Sequence, residues 1–138
     1  MCLIRERQRC RACSSVCCPV PEWARLLGLV LLALAAIGGL TMAVVRFRGA
    51  DRPPSSIAMA HGLLAAAALT LLIYAAAVAG LPALGLVALV ILIIVALVGI
   101  VLNLMYHAKL VPLPKTTIVI HGIVAVIGFV LLLLALHH

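Results

Sequence analysis

Four long apolar runs, separated by short polar breaks, make up most of the chain. They cover about residues 24–45, 57–79, 83–106 and 116–136, and charged side chains stand only at their edges, as Arg25 does. A helix rises about 1.5 Å per residue, so each run can cross a hydrocarbon layer roughly 30 Å thick. Barrel-type alternation is absent, and backbone groups in lipid must then be paired within helices. The pattern predicts four transmembrane helices.

Prolines, glycine and serines mark the breaks at residues 53–56, 80–82 and 112–114. Connections this short place consecutive helices side by side and antiparallel. The predicted fold is therefore all-α, an up-down-up-down bundle of four transmembrane helices over residues 24–138. Residues 1–23 form a separate, basic and cysteine-rich segment, which we predict to be disordered.

An internal repeat becomes visible when the chain is shifted by 60 residues without a gap. The matched pairs are Gly39 with Gly99, Pro54 with Pro114, His61 with His121, and Gly62 with Gly122. Matched glycines, prolines and histidines are stronger evidence for a repeat than matched leucines and alanines, which recur by chance in an apolar sequence. We therefore expect two repeated helical hairpins, related by a pseudo-twofold axis along the membrane normal.

The composition agrees with a lipid environment. Of 138 residues, 67% are hydrophobic and 9% are charged, and the mean hydropathy is +1.40, whereas soluble domains carry roughly 25% charged residues. We expect an integral, multi-pass protein of a bacterial inner (plasma) membrane. Its expected partners are the lipid bilayer and other membrane subunits or a redox partner. No nucleic-acid partner is expected, because the basic residues are not interleaved with aromatic ones.

The net charge of +7 comes from basic residues that flank the apolar runs. They suit contact with anionic headgroups and the setting of topology. Each face carries five basic residues, so the positive-inside rule does not choose between the two orientations in the membrane. One face carries Arg5, Arg7, Arg9, Arg11 and Arg25, and the other carries Arg46, Arg48, Arg52, Lys109 and Lys115.

The cysteines all fall within the first 18 residues, and four of them form the pattern Cys10-x2-Cys13-x3-Cys17-Cys18. Thiolates at this spacing could hold zinc or an iron–sulfur cluster, but a single C-x-x-C is weak support for a metal site. Whether the mature protein keeps residues 1–20 is open.

His61 and His121 are the strongest candidates for a site. Each lies about five residues inside its predicted helix, and the repeat puts both at one depth on parallel helices. Ionisable side chains at that depth usually face a cavity or a partner. Two such imidazoles could hold one haem iron, with Gly62 and Gly122 leaving room for the macrocycle. The alternatives are packing histidines that bond a neighbouring carbonyl, another metal, or a proton relay.

The remaining candidate residues lie at the same end of the bundle. Arg46, Arg48, Lys109 and Lys115 could pair with haem propionates. His107 follows Tyr106 at the end of the third run; it could replace an axial ligand, bond a propionate, or act as a cation favoured by a helix C-terminus.

At this point the chain resembles the cytochrome b561-like four-helix membrane cytochromes. The resemblance rests on Ala60-His61-Gly62-Leu63-Leu64 and Ile120-His121-Gly122 within residues 24–136. It implies a transmembrane electron relay with haem b held by histidine pairs. The sequence departs from the family here, because a second histidine pair near the other face is missing apart from His137 and His138 at the C-terminus, so we expect one haem at most.

Two functions follow from the sequence. One is a small b-type haem electron-transfer protein or subunit with His61 and His121 as axial ligands. The other is a non-catalytic structural or accessory membrane subunit without a cofactor. No catalytic residue is assigned, because the only carboxylates, Glu6, Glu22 and Asp51, cannot form an acid–base pair within the spans.

Overall fold

The computed structural model describes residues 22–137, and the predicted cysteine-rich segment lies almost wholly outside them. The four helices are α1, Glu22–Phe47; α2, Ser55–Ala79; α3, Ala83–Leu102; and α4, Lys115–His137. A π-helix at Asn103–His107 continues α3. All four helices are long and apolar enough to cross a membrane. The prediction of an all-α, four-helix membrane bundle is confirmed.

The helices pack as two hairpins. α1 pairs most extensively with α2, and α3 with α4, while the contacts of α2 with α3 and of α1 with α4 close the bundle. Each position from 55 to 76 also falls in the same class, buried, half-buried or exposed, as its counterpart from 115 to 136. The predicted up-down-up-down order and the repeated hairpin are therefore both present in the structure.

The core is built from leucines that stand opposite small residues. Leu72 and Leu132, which correspond in the repeat, are both fully buried, and Leu32 and Leu92 join them in one cluster. Between lipid-facing helices there is no hydrophobic driving force, so close packing has to hold the bundle together. Small residues provide that packing: a Cβ at Gly28 would lie 3.4 Å from Leu72 Cγ.

The two hairpins differ where their first helices end. The turn that follows α1 contains Gly49, whose φ of 106° suits a glycine. After α3 the π-turn widens the helix, and the left-handed residue is Leu110 with φ 61°. A π-turn takes in one residue more than an α-turn. The left-handed position is accordingly displaced by one residue from Lys109, the counterpart of Gly49.

Candidate functional site

The His61 imidazole is held inside the first hairpin. Its Nδ1 lies 2.7 Å from the carbonyl oxygen of Ala35 on α1. A carbonyl can only accept, so Nδ1 carries the proton and Nε2 is left as the acceptor of the ring. The ring also packs on α1, because a Cβ at Gly39 would lie 3.1 Å from His61 Cε1. His61 therefore joins α2 to α1 by a hydrogen bond and by close packing.

The His121 imidazole occupies the corresponding place in the second hairpin without the corresponding hydrogen bond. Its ring packs on Gly99 of α3, where an added Cβ would lie 3.3 Å from His121 Cε1. Its Nδ1 is buried and has no hydrogen-bond partner among the described residues. The ring therefore has the same position in both hairpins, but among the described residues its Nδ1 has a hydrogen-bond partner only in the first hairpin.

Two residues on the helix opposite each histidine differ between the hairpins. Ala35 and Gly38 of α1 correspond to Val95 and Val98 of α3. A Cβ at Gly38 would lie only 3.5 Å from the Cβ of His61, so α1 approaches α2 closely there. Both valines instead line a cavity of about 130 Å³ beside His121.

The glycines next to the histidines do not face the bundle. Gly62 and Gly122 are exposed, and a Cβ on either would meet no atom within 4 Å. The glycines that give the two imidazoles room are instead Gly39 and Gly99, on the preceding helices.

The cavity beside His121 provides one test of whether a haem fits. It lies between α3 and α4, and His61 is not part of its wall. Pockets for ligands of drug size measure about 300–1,000 Å³, well above the cavity volume of about 130 Å³. The chemistry of His61 suits a metal ligand, because metal-bound histidines usually donate their other N–H to an acceptor such as a backbone carbonyl. The volume of this cavity is too small for a macrocycle.

Three of the four predicted propionate partners contact their own chain. Arg46 donates from Nε to Leu113 O at 2.9 Å and from Nη1 to Ala50 O at 3.1 Å, which joins the end of α1 to the α3–α4 connection. Lys115 Nζ lies 5.7 Å from the centre of the Phe47 ring, within the range of a cation–π contact. Lys109 Nζ lies 3.8 Å from Met105 Sδ.

The other two candidates lie near this end of the bundle. Arg48 is exposed just after α1. His107 is the last residue of the π-helix that follows α3.

Sequence reasoning missed the partners of the histidines. Ala35, Gly38 and Gly39 lie within one helical turn of α1, so their small side chains share a face that a neighbouring helix can approach closely. This spacing was visible in the sequence, and so was its partial loss at Val95 and Val98. The two observations together would have indicated that the histidines belong to different environments.

The two histidines should respond differently to replacement by leucine. His61→Leu removes the bond to Ala35 O, and we expect a loss of about 1 kcal/mol in the free energy of unfolding. His121→Leu removes a buried nitrogen without a partner, so we expect no loss, or a small gain. Reversible unfolding in mixed micelles of mild detergent and dodecyl sulfate measures both. Equal losses in the two variants would contradict the assigned difference.

The site is thus a pair of related imidazoles, one hydrogen-bonded within its hairpin and one beside a small apolar cavity. No protein-family model matches the chain, and the comparisons with curated proteins and with solved structures gave no match.

Proposed function

We propose that the protein is a non-catalytic accessory subunit of a bacterial inner (plasma) membrane. The observation that carries the proposal is how the polar side chains of the spans are used. His61 bonds Ala35 O, Thr41 Oγ1 donates to Ile37 O at 2.9 Å, and Thr70 Oγ1 donates to Ala66 O at 2.8 Å. These polar side chains are satisfied by backbone carbonyls of their own bundle. Among the described residues no three metal-ligating side chains cluster.

The outer face of α2 supports contact with a further membrane helix. Gly62, Ala66 and Thr70 are spaced four residues apart and are all exposed. Small residues at this spacing let two transmembrane helices approach closely. At the corresponding positions α4 has Gly122, Val126 and Val130. The second hairpin thus has bulkier residues at two of these three positions.

Native electrophoresis tests the accessory role. Membranes of cells that express the tagged protein at its natural level are solubilised in a mild detergent. We expect the protein to migrate in a complex larger than its own 14.4 kDa plus detergent. Ala66→Leu should release it from the complex, whereas Val126→Leu, the matched change in the second hairpin, should leave it bound. Migration of the unaltered protein as a free monomer would overturn the proposal.

Haem ligation is the second candidate, and the resemblance to b561-like cytochromes belongs to it. The favouring observation is that Ala35 O fixes the proton of His61 on Nδ1 and leaves Nε2 able to ligate iron. The small cavity beside His121 does not accommodate a macrocycle, so we derive no redox step. A reduced-minus-oxidised spectrum of protein expressed with ample haem tests this candidate. A Soret band lost in both His61→Ala and His121→Ala would establish it in place of the accessory role, and no band would exclude it.

A further inference from the structure

A cleft lies where the α1–α2 connection meets the segment that follows α3, and we call it the interfacial cleft. Its lining residues include Asp51, Arg52, Pro54, Ser55, Ala108 and Leu110. It has a volume of about 670 Å³ and is open rather than enclosed, and small-ligand pockets measure about 300–1,000 Å³. Most of the surface that its wall exposes is polar. The cleft therefore suits a ligand that is mainly polar and partly apolar.

The interfacial cleft lies at the depth of lipid headgroups. α2 has 25 residues and is therefore about 37 Å long, whereas the hydrocarbon layer is roughly 30 Å thick. The first residues of α2 and the connection before it consequently stand in the headgroup layer. Ser55 is the first residue of α2, so the charged part of the wall, at Asp51 and Arg52, lies within this layer. In a membrane the cleft is thus surrounded by lipid headgroups.

The wall of the cleft carries two opposite charges on adjacent residues. Asp51 is exposed and Arg52 is half-buried, and neither side chain forms an ion pair within the described part of the chain. A guanidinium group binds phosphate oxygens in a bidentate manner. A carboxylate pairs with an ammonium group and repels an anion. The wall therefore favours a zwitterion, with a phosphate and an ammonium group, over a simple anion.

We propose that the interfacial cleft binds a phospholipid whose headgroup is phosphoethanolamine, with the phosphate at Arg52 and the ammonium group at Asp51. Leu110, which is 68% exposed, provides apolar surface for the glycerol backbone. In the repeat, Asp51 and Arg52 correspond to Val111 and Pro112. The second hairpin thus has no counterpart of the charged pair, and the bundle has one such site. The inference is independent of the accessory role, because a protein that functions alone can bind a lipid equally well.

Native mass spectrometry of the protein in mild detergent tests the site. The protein is titrated with phospholipids that have identical acyl chains and an ethanolamine, choline or glycerol headgroup. We expect the ethanolamine lipid to bind about threefold to fivefold more tightly than the choline lipid, the range for one solvent-exposed ion pair. The choline group has no N–H to donate to Asp51. Tighter binding of the anionic glycerol lipid would indicate general attraction to the basic end of the bundle and would overturn the proposal.

A competition experiment distinguishes a lipid from a soluble ligand with the same headgroup. Glycerophosphoethanolamine, which has no acyl chains, should not displace the ethanolamine lipid at equal concentration, because the acyl chains hold the headgroup at the depth of the cleft. Displacement at equal concentration would assign the cleft to a soluble zwitterion and overturn the lipid site.

Three substitutions locate the two contacts. Asp51→Asn should remove the preference for ethanolamine over choline, and Arg52→Gln should weaken the binding of both lipids by a similar factor. Arg48→Gln is the matched control: it removes the same charge at the same end, but Arg48 is exposed outside the wall of the cleft, so it should change neither. Equal effects of Arg48→Gln and Arg52→Gln would overturn the site. A preference that survives Asp51→Asn would overturn the pairing of the ammonium group with the carboxylate.

Discussion

Gly128→Leu should destabilise the bundle by about 2–3 kcal/mol, the largest effect that we expect from one substitution. A Cβ at Gly128 would lie 3.1 Å from Ile91 Cγ2 and from two atoms of Leu92 on α3. Leu92 is buried in the core and cannot move aside without disturbing it. Side chains forced into a packed core typically cost 1–3 kcal/mol. Unfolding of the purified protein in mixed micelles measures the loss.

Gly122→Leu is the matched control on the same helix. A Cβ at Gly122 would meet nothing within 4 Å, so leucine should only improve helix propensity, by up to about 1 kcal/mol. The two changes are chemically identical and lie less than two turns apart. Equal effects on the free energy of unfolding would show that glycine at position 128 is not a packing requirement.

The fold could be predicted closely because lipid leaves few alternatives. In hydrocarbon every backbone group must be paired within the structure, so a long apolar run becomes a helix. Pro54 and Pro82 then mark where α2 and α3 begin, because each stands directly before the first residue of its helix and proline is not tolerated in a helix interior. The repeat also predicted that the two hairpins correspond to each other, which places His61 and His121 at the same depth. Burial along α2 and α4 confirms that correspondence.

The histidine site could be predicted only in part. The depth of His61 and His121 follows from their distance to the helix starts. The partner that each ring meets depends on the helix opposite, where Ala35 of the first hairpin corresponds to Val95 of the second. Ala35 permits contact at 2.7 Å, whereas Val95 lies in the wall of a cavity. The residue pattern of a single helix does not give the distance from its side chains to a carbonyl on the neighbouring helix.

The end of the bundle that carries Arg46 shows a second limit of prediction from sequence. Arg46 suited an anionic partner by its position, yet its guanidinium group binds two backbone carbonyls near the ends of helices. Both carbonyls belong to the segments that connect the helices, and the arginine satisfies them there.

Leu72→Ala should cost about 2 kcal/mol in the free energy of unfolding. Leu72 is fully buried. It packs on Gly28 of α1, where an added Cβ would lie 3.4 Å from Leu72 Cγ, at van der Waals contact. In soluble proteins such a change costs 2–5 kcal/mol, part of which is the transfer of the side chain from water. Here the unfolded helices stay in an apolar medium, so the transfer part is small and the lost packing remains. The expected loss therefore lies at the lower end of that range.

Ile73→Ala is the control that separates the loss of close packing from the mere loss of an apolar side chain. Ile73 is the next residue of α2, but it is 48% exposed on the lipid-facing side, so its truncation should change stability by less than about 0.5 kcal/mol. Leu132→Ala should match Leu72→Ala, because the repeat gives both leucines one role. A small effect of Leu72→Ala, equal to that of Ile73→Ala, would mean that the interior has no close packing to lose. The bundle would then be held by its connections and by the hydrogen bonds of His61 and Arg46.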